Sequence, residues 1–309
     1  MDFRTDMAVE RTDIYRKAKK LDEIPGIKCV AEEVSPKIKV TRVKITNEEG
    51  EKAIGKKKGN YITIDVNKIN LCTEEELEQI SNTFSEELKK IVDINVEKQD
   101  EMLIVGLGNL YSTPDALGSK VVKDIEVTRH IKKYLPQYID PNERAISAVS
   151  PGVLGTTGIE TAEIIKGIVQ NVKPKVLIAV DSLASKSIER ISSSIQISDT
   201  GIVPGGGVGN KREELTYETM GIPVIAVGVP TVVESAVLLS DCLDLFIEKL
   251  QNEAKSNEYL NKLKEQDNYE TIKEALIPND YNMIVTPKEI DDLIENMKDV
   301  IARGINYAV

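Results

Sequence analysis

The sequence predicts an α/β fold: a mostly parallel sheet with helices on both faces, elaborated by a β-hairpin near the N-terminus. Three observations lead there. After residue 101, short apolar runs recur at Met102-Leu-Ile-Val-Gly, residues 145–149, Val176-Leu-Ile-Ala-Val and Pro223-Val-Ile-Ala-Val. Runs that are apolar throughout suit strands buried on both faces, as in parallel sheets. Segments of helical periodicity separate these runs, and strands alternating with helices build α/β sheets. Upstream, Ile38-Lys-Val-Thr-Arg-Val-Lys-Ile and Tyr61-Ile-Thr-Ile-Asp-Val alternate instead, the pattern of strands with one wet face.

Taken in order, residues 9–24 are densely charged and read as helical or partly mobile. The alternation from Ile38 slips phase near Thr41, which suggests a bulge. This strand and the one from Tyr61 are expected to pair as a long-looped hairpin around the turn signal Gly55-Lys-Lys-Lys-Gly-Asn. Thr73-x-x-Glu76 is a capping box, opening a helix with Leu77, Ile80, Phe84, Leu88 and Ile91 on one face. A helix over residues 114–134 should follow the run at Met102. Thr157-x-x-Glu160 is expected to cap a helix carrying Ile159, Ala162, Ile165, Val169 and Val172. A helix over 235–250 follows the fourth run. Thr286-x-x-Glu289 is expected to cap a last helix bearing Ile290, Leu293, Ile294, Met297 and Ile301. Residues 251–282 are charged and show no decisive pattern.

The 309 residues suffice for one large core, placed at about 101–250. Charged residues make up 29% and the net charge is −11, with a pI near 4.9. Such a surface repels phosphates, which argues against direct nucleic-acid binding. Cys29, Cys72 and Cys242 are odd in number and lack metal-ligand spacing, so reduced thiols in a cytoplasmic protein are expected. The longest uncharged apolar run, residues 222–233, is too short to cross a bilayer, and the charged start has no signal-peptide core. No membrane partner is expected.

In an open α/β sheet the active site lies beyond the carboxyl ends of the strands. That rule selects Asn109, Thr113 and Asp115 after the first core strand, Ser150 and Thr156 after the second, and Asp181 after the third. It also selects the glycine-rich loop with Gly205, Gly206, Gly207 and Asn210. Asp115 in Thr113-Pro114-Asp115 is either a carboxylate favouring a helix dipole or a functional group. Asp181, ending an apolar strand, must meet either a buried partner or a substrate. Two carboxylates at one sheet edge can share a proton, one acting as base on a water and the other as acid. His130 is the one histidine, and it sits beside Arg129 on a helix, so it reads as a surface or interface residue rather than the base of a triad. Gly106-x-Gly108 lacks the third glycine of a dinucleotide fingerprint and no Walker A motif occurs. The glycine-rich loop is either an anion cradle or a flexible loop beside a cleft. A zinc site rich in histidine is excluded; one built from carboxylates stays open.

Several blocks together resemble the germination protease family. They are Leu103-Ile-Val-Gly-Leu-Gly-Asn, Thr-Pro-Asp115-Ala-Leu-Gly, Val-Thr-Arg-His130, Ser150-Pro-Gly-Val-Leu-Gly-Thr-Thr, Asp181-Ser-Leu-Ala-Ser and Ser-Asp-Thr-Gly-Ile-Val-Pro-Gly-Gly-Gly-Val-Gly-Asn-Lys-Arg. Ser119, Ser182 and Gly206 depart from the family's usual residues without removing a proposed catalytic group. The resemblance implies an endopeptidase that degrades small acid-soluble spore proteins in the forespore and spore core, with a fold similar to hydrogenase-maturation endopeptidases. It also implies catalysis by Asp115 and Asp181, no cofactor and no metal, and a homotetramer made as a self-processing zymogen. The family cuts after an acidic residue in a Thr/Ser-Glu/Asp-apolar-Ala context, and Thr5-Asp6-Met7-Ala8 has that form. Self-cleavage is therefore expected between Asp6 and Met7, with residues 1–6 a pro-segment and 7–309 a single peptidase domain. A terminus so charged is expected to stay out of the core. The alternatives are a metal-dependent endopeptidase of hydrogenase-maturation type and a non-catalytic α/β nucleotide-binding protein.

Overall fold

The computed structural model describes residues 5–97, 99–204, 212–253, 272 and 283–309. Its strands are β1 (Ile27–Ser35), β2 (Ile38–Ile45), β3 (Gly59–Val66), β4 (Met102–Gly106), β5 (Ile146–Val149), β6 (Val176–Ser185), β7 (Ser194–Ser198), β8 (Val224–Glu234) and β9 (Ile284–Val285). They form one sheet in the order β1-β2-β3-β7-β8-β6-β4-β5, with β9 on β8. The neighbours β8, β6, β4 and β5 run parallel. The remaining pairings are antiparallel. The helices are α1 (Ala8–Lys19), α2 (Glu48–Ile54), α3 (Glu74–Asn95), α4 (Leu117–Val121), α5 (Arg129–Tyr134), α6 (Leu154–Thr157), α7 (Thr161–Val172), α8 (Tyr217–Met220), α9 (Ser235–Glu253) and α10 (Ile290–Ala308).

Alternate residues of each central strand serve opposite faces. Val176, Ile178 and Val180 of β6, with Met102 and Ile104 of β4, pack beneath α3, α4 and α10. Leu177, Ala179, Leu103 and Val105 face the other way, onto Ala162, Ile165 and Val169 of α7. The antiparallel half shares this division. Ile38 and Val40 belong to the α3 side, while Val43 and Ile45 lie under α1 and α2. That explains the phase slip near Thr41. β2 keeps an unbroken register with β3 through Thr41, so no bulge exists there. The strand is covered on opposite faces at its two ends, and its apolar residues change phase to match.

Several other expectations need correction. The connection between β2 and β3 contains α2, capped by Asn47 at its start and ended by Gly55 in the left-handed conformation. The turn signal at Gly55 is thus a helix end. The helix expected over 114–134 breaks into a 3₁₀ turn (Thr113–Asp115), α4, a second 3₁₀ turn (Val122–Asp124), irregular chain and α5. Its middle is rich in β-branched residues, which crowd a helix, and the Thr128 hydroxyl accepts from the Ile146 N–H at 2.9 Å, tying the chain to β5. The Thr73/Glu76 capping box forms. The other two do not. Thr157 ends α6 and α7 starts four residues later, leaving Ile159 49% exposed. The Thr286 hydroxyl donates to the Thr231 carbonyl at 2.9 Å instead of capping α10. Nearly all of the stretch 251–282 lies outside the described residues.

Candidate active site

The site forms where β4 ends and β6 continues. Gly106 is the last β4 residue paired with β6, and the Leu107 N–H then donates to the Val180 carbonyl at 2.8 Å. β6 runs on to Ser185, so Asp181 lies within the strand, opposite Gly228, and not at its end as the apolar run suggested. On the β4 side the chain turns away at Gly108, whose φ is +96°. A Cβ there would meet the Asp115 carbonyl oxygen at 2.0 Å. Gly118 similarly lets α4 approach the middle of β6: its absent Cβ would fall 2.3 Å from the Val180 carbonyl oxygen. These two close approaches return the chain to the sheet edge with Asp115 beside Asp181. Both carboxylates line a cavity of about 260 Å³, shared with Asp6, Thr161, Ser182 and Arg212.

Asp115 is half-buried, and its Oδ2 accepts from the Asn109 N–H at 2.9 Å. That bond ties it to the preceding loop rather than to its own helix start. Burial raises its pKa, while the Asn109 N–H and the positive charge of Arg212 oppose the rise. Asp181 is 4% exposed, and its Oδ1 accepts from the Ser182 N–H at 2.9 Å. Its pKa is pushed well up, first by burial and then by the charge of Asp115, with Asp6 adding to the effect. Burial and mutual repulsion both oppose full ionisation of the pair, the condition that favours a shared proton. Among the described residues, no group of three or more His, Cys, Asp or Glu side chains is placed to hold a metal ion.

The N-terminal segment enters this site, contrary to the expectation that its charge would keep it out. Thr5, Met7, Ala8 and Glu10 are all buried. Met7 and Val9 pack on Leu183. The register between β6 and β8 slips at Leu183 and Ala184, and there Ala184 turns both its backbone groups to Asp6. The Asp6 N–H donates to the Ala184 carbonyl at 2.9 Å, and the Ala184 N–H donates to Asp6 Oδ2 at 3.0 Å. Glu10 pays for its burial by accepting from the N–H groups of Lys186 and Ser187 at 2.9 and 3.1 Å, and from the Thr5 hydroxyl. Charge does not exclude a segment whose carboxylates find backbone donors.

The structure gathers only part of the remaining candidate set. Asn109 contributes through its backbone. Thr113 sits in the 3₁₀ turn that carries Asp115. Ser150 is exposed and exchanges a 2.7 Å hydrogen bond with Ser119. The Thr156 hydroxyl donates to the Val153 carbonyl within α6, outside the cavity. Gly205, Gly206, Gly207 and Asn210 lie outside the described residues. His130 is exposed, as a surface residue should be. Sequence reasoning missed Thr161, Ser182 and Arg212; the basic pair closing the glycine-rich block was the available signal for Arg212.

Comparison with known proteins identifies relatives over nearly the full length of the chain. A family profile described as germination protease matches residues 4–262 and 255–309. The chain is 45% identical over 312 residues to the germination protease of Clostridium acetobutylicum, covering 99% of this chain and 94% of the relative. It is 46% identical over 316 residues to the germination protease of Caldanaerobacter subterraneus subsp. tengcongensis, covering 100% and 94%. Among solved structures it is similar to the NiFe hydrogenase maturation protease HycI from Thermococcus kodakarensis, with a TM-score of 0.30 and 18% identity over 46% of this chain and 80% of that one.

Proposed function

This chain belongs to the germination protease family, and on that premise we propose that it starts the breakdown of small acid-soluble spore proteins in the spore core, using Asp115 and Asp181 as its catalytic groups. Asp115, held by the Asn109 N–H and only half-buried, is the base: it takes a proton from a water whose oxygen attacks the peptide carbonyl carbon. Asp181, which resists ionisation, donates its proton to the departing amide nitrogen as the C–N bond breaks. The products are a carboxylic acid and an amine, and the pair still holds one proton, now on Asp115. A proton shift within the pair restores the starting state.

The observation that carries this reading is the position of Asp6. The residue preceding the proposed self-cleavage bond lines the same cavity as both aspartates. Its segment is held by backbone hydrogen bonds of the kind that seat a peptide substrate against a sheet. Residues up to Asp6 then act as a pro-segment that fills the site until it is cut, and residues 7–309 are the peptidase. The homotetramer that family membership suggests is checked by light scattering. The function is tested by incubating the purified chain with a small acid-soluble spore protein and identifying products by mass spectrometry. Cleavage after an acidic residue in a Thr/Ser-Glu/Asp-apolar-Ala context is expected, falling by about a hundredfold to ten-thousandfold in Asp115→Asn and in Asp181→Asn. A folded Asn variant with wild-type turnover would remove that residue from the mechanism.

A further inference from the structure

A second cavity, of about 350 Å³, adjoins the first across Asp6, which lines both. Its wall includes Arg11, Lys56, Tyr61 and Gln196. Two of these residues have no role in the fold that accounts for where they point. Gln196 is 7% exposed in the middle of β7. Its Nε2 donates to the Asp6 carbonyl at 3.3 Å, and its Oε1 accepts from the Ala8 N–H at 2.7 Å. One amide thus grips the backbone on both sides of the Asp6–Met7 bond and sets the register of the segment.

Lys56 is the second. The adjacent Lys57 turns outward and reaches Glu214 at 2.7 Å, with its side chain 50% exposed. Lys56 turns inward and makes no ion pair or hydrogen bond with a described residue. Burial lowers its pKa to about 8, the charge of Arg11 adds to the lowering, and the charge of Asp6 works against it. An inward lysine without a partner is costly in a chain with a net charge of −11, where carboxylates are plentiful. The cost is recovered if a negative group enters the cavity. The carboxylate whose charge acts on Lys56 there is Asp6 itself, the side chain just before the proposed cut. Arg11 adds a second positive charge to the same wall, its Nη1 donating to the Ile54 and Gly55 carbonyls at 3.3 and 2.9 Å and its Nε to the Thr5 carbonyl at 2.8 Å.

We infer that the cavity bounded by Lys56 and Gln196 is the subsite that selects an acidic side chain before the scissile bond, with Lys56 reading the charge and Gln196 fixing the backbone. This rests on the protease reading above and adds the residue that decides specificity. A charge-assisted contact in a desolvated site separates a carboxylate from its amide isostere by about ten- to a hundredfold. The test uses two peptides, one containing Thr-Asp-Met-Ala and one Thr-Asn-Met-Ala, cleaved by the full-length chain and by Lys56→Met and Lys56→Arg. The wild type and Lys56→Arg should prefer the Asp peptide by that factor in kcat/KM, and Lys56→Met should cut the preference to near unity with its melting temperature retained. Should Lys56→Met fail to fold, Lys56→Gln gives the same readout. A preference that survives in the uncharged variant, or a wild type with no preference, overturns the subsite alone. A wild type that cuts neither peptide removes the protease reading and the subsite with it.

Discussion

Asp181 is 4% exposed and lies beside a second carboxylate, so its ionisation is opposed twice. Its folded pKa is raised above the ordinary value of 3.8, so between those two values the native state holds more protons than the unfolded one. The stabilisation is complete below the unfolded pKa and is lost as pH rises through the folded one. Asp115 acts in the same direction. Replacing Asp181 by Asn removes the ionisation, so Asp181→Asn should melt higher than wild type at neutral pH, by about 2–4 °C per kcal/mol relieved. The gap should close in acid below the ordinary carboxylate range. A melting series across pH checks this, and a constant gap would place the burial cost elsewhere. Both aspartates were legible from the sequence because each follows an apolar run at the sheet edge. Gln196 was not, since a glutamine between Ile195 and Ile197 carries no signal until the segment it grips is seen.

At the scale of elements, legibility followed burial. β4, β6 and β8 are covered on both faces, so their apolar runs marked them, though the runs marked only the first halves of β6 and β8. Their far ends mix Asp181 and Ser185, or Pro230 and Thr231, with buried Leu183, Val229 and Val233, so they serve the site and the core together. β7 went unread because Ser194, Gln196 and Ser198 form its polar face, turned toward the N-terminal segment. β1 is an edge strand with most of its residues exposed, and charge along an edge masks it. The bend at Gly108 is where the element scale controls the chemistry. A side chain there meets both a left-handed backbone and the carbonyl of Asp115. Gly108→Ala should cost about 1–3 kcal/mol of stability and at least about tenfold in kcat/KM, since small displacements of a catalytic group are expensive. Urea unfolding together with peptide cleavage checks it. Full activity would mean that this turn does not position Asp115.

The whole molecule is a sheet with two characters. Its parallel half supplies the carboxylate pair, and its antiparallel half supplies β7 and the cavity wall that receives the N-terminal segment. The site exists where the halves meet, in the cavity lined by Asp6 ahead of α1, Thr161 at the start of α7 and the two aspartates. Only the parallel half follows from apolar runs; the meeting of the two depends on pairings between β3, β7 and β8 that no local pattern announces. A water activated by two carboxylates needs no ion, so exhaustive chelation should leave cleavage unchanged. Activity lost to a chelator and regained with a divalent ion would replace the acid–base account with metal catalysis.

On the proposed mechanism the Asp115–Asp181 pair acts on the chain's own Asp6–Met7 bond. Because the pair must hold one proton and its pKa values are raised, processing should quicken as pH falls from neutral toward mildly acidic. The measurement is to hold purified full-length chain at both conditions and sequence the new N-terminus over time. A product beginning at Met7 is expected, formed faster in acid and absent in Asp115→Asn. A product beginning elsewhere, or processing at the same rate in the variant, would contradict it.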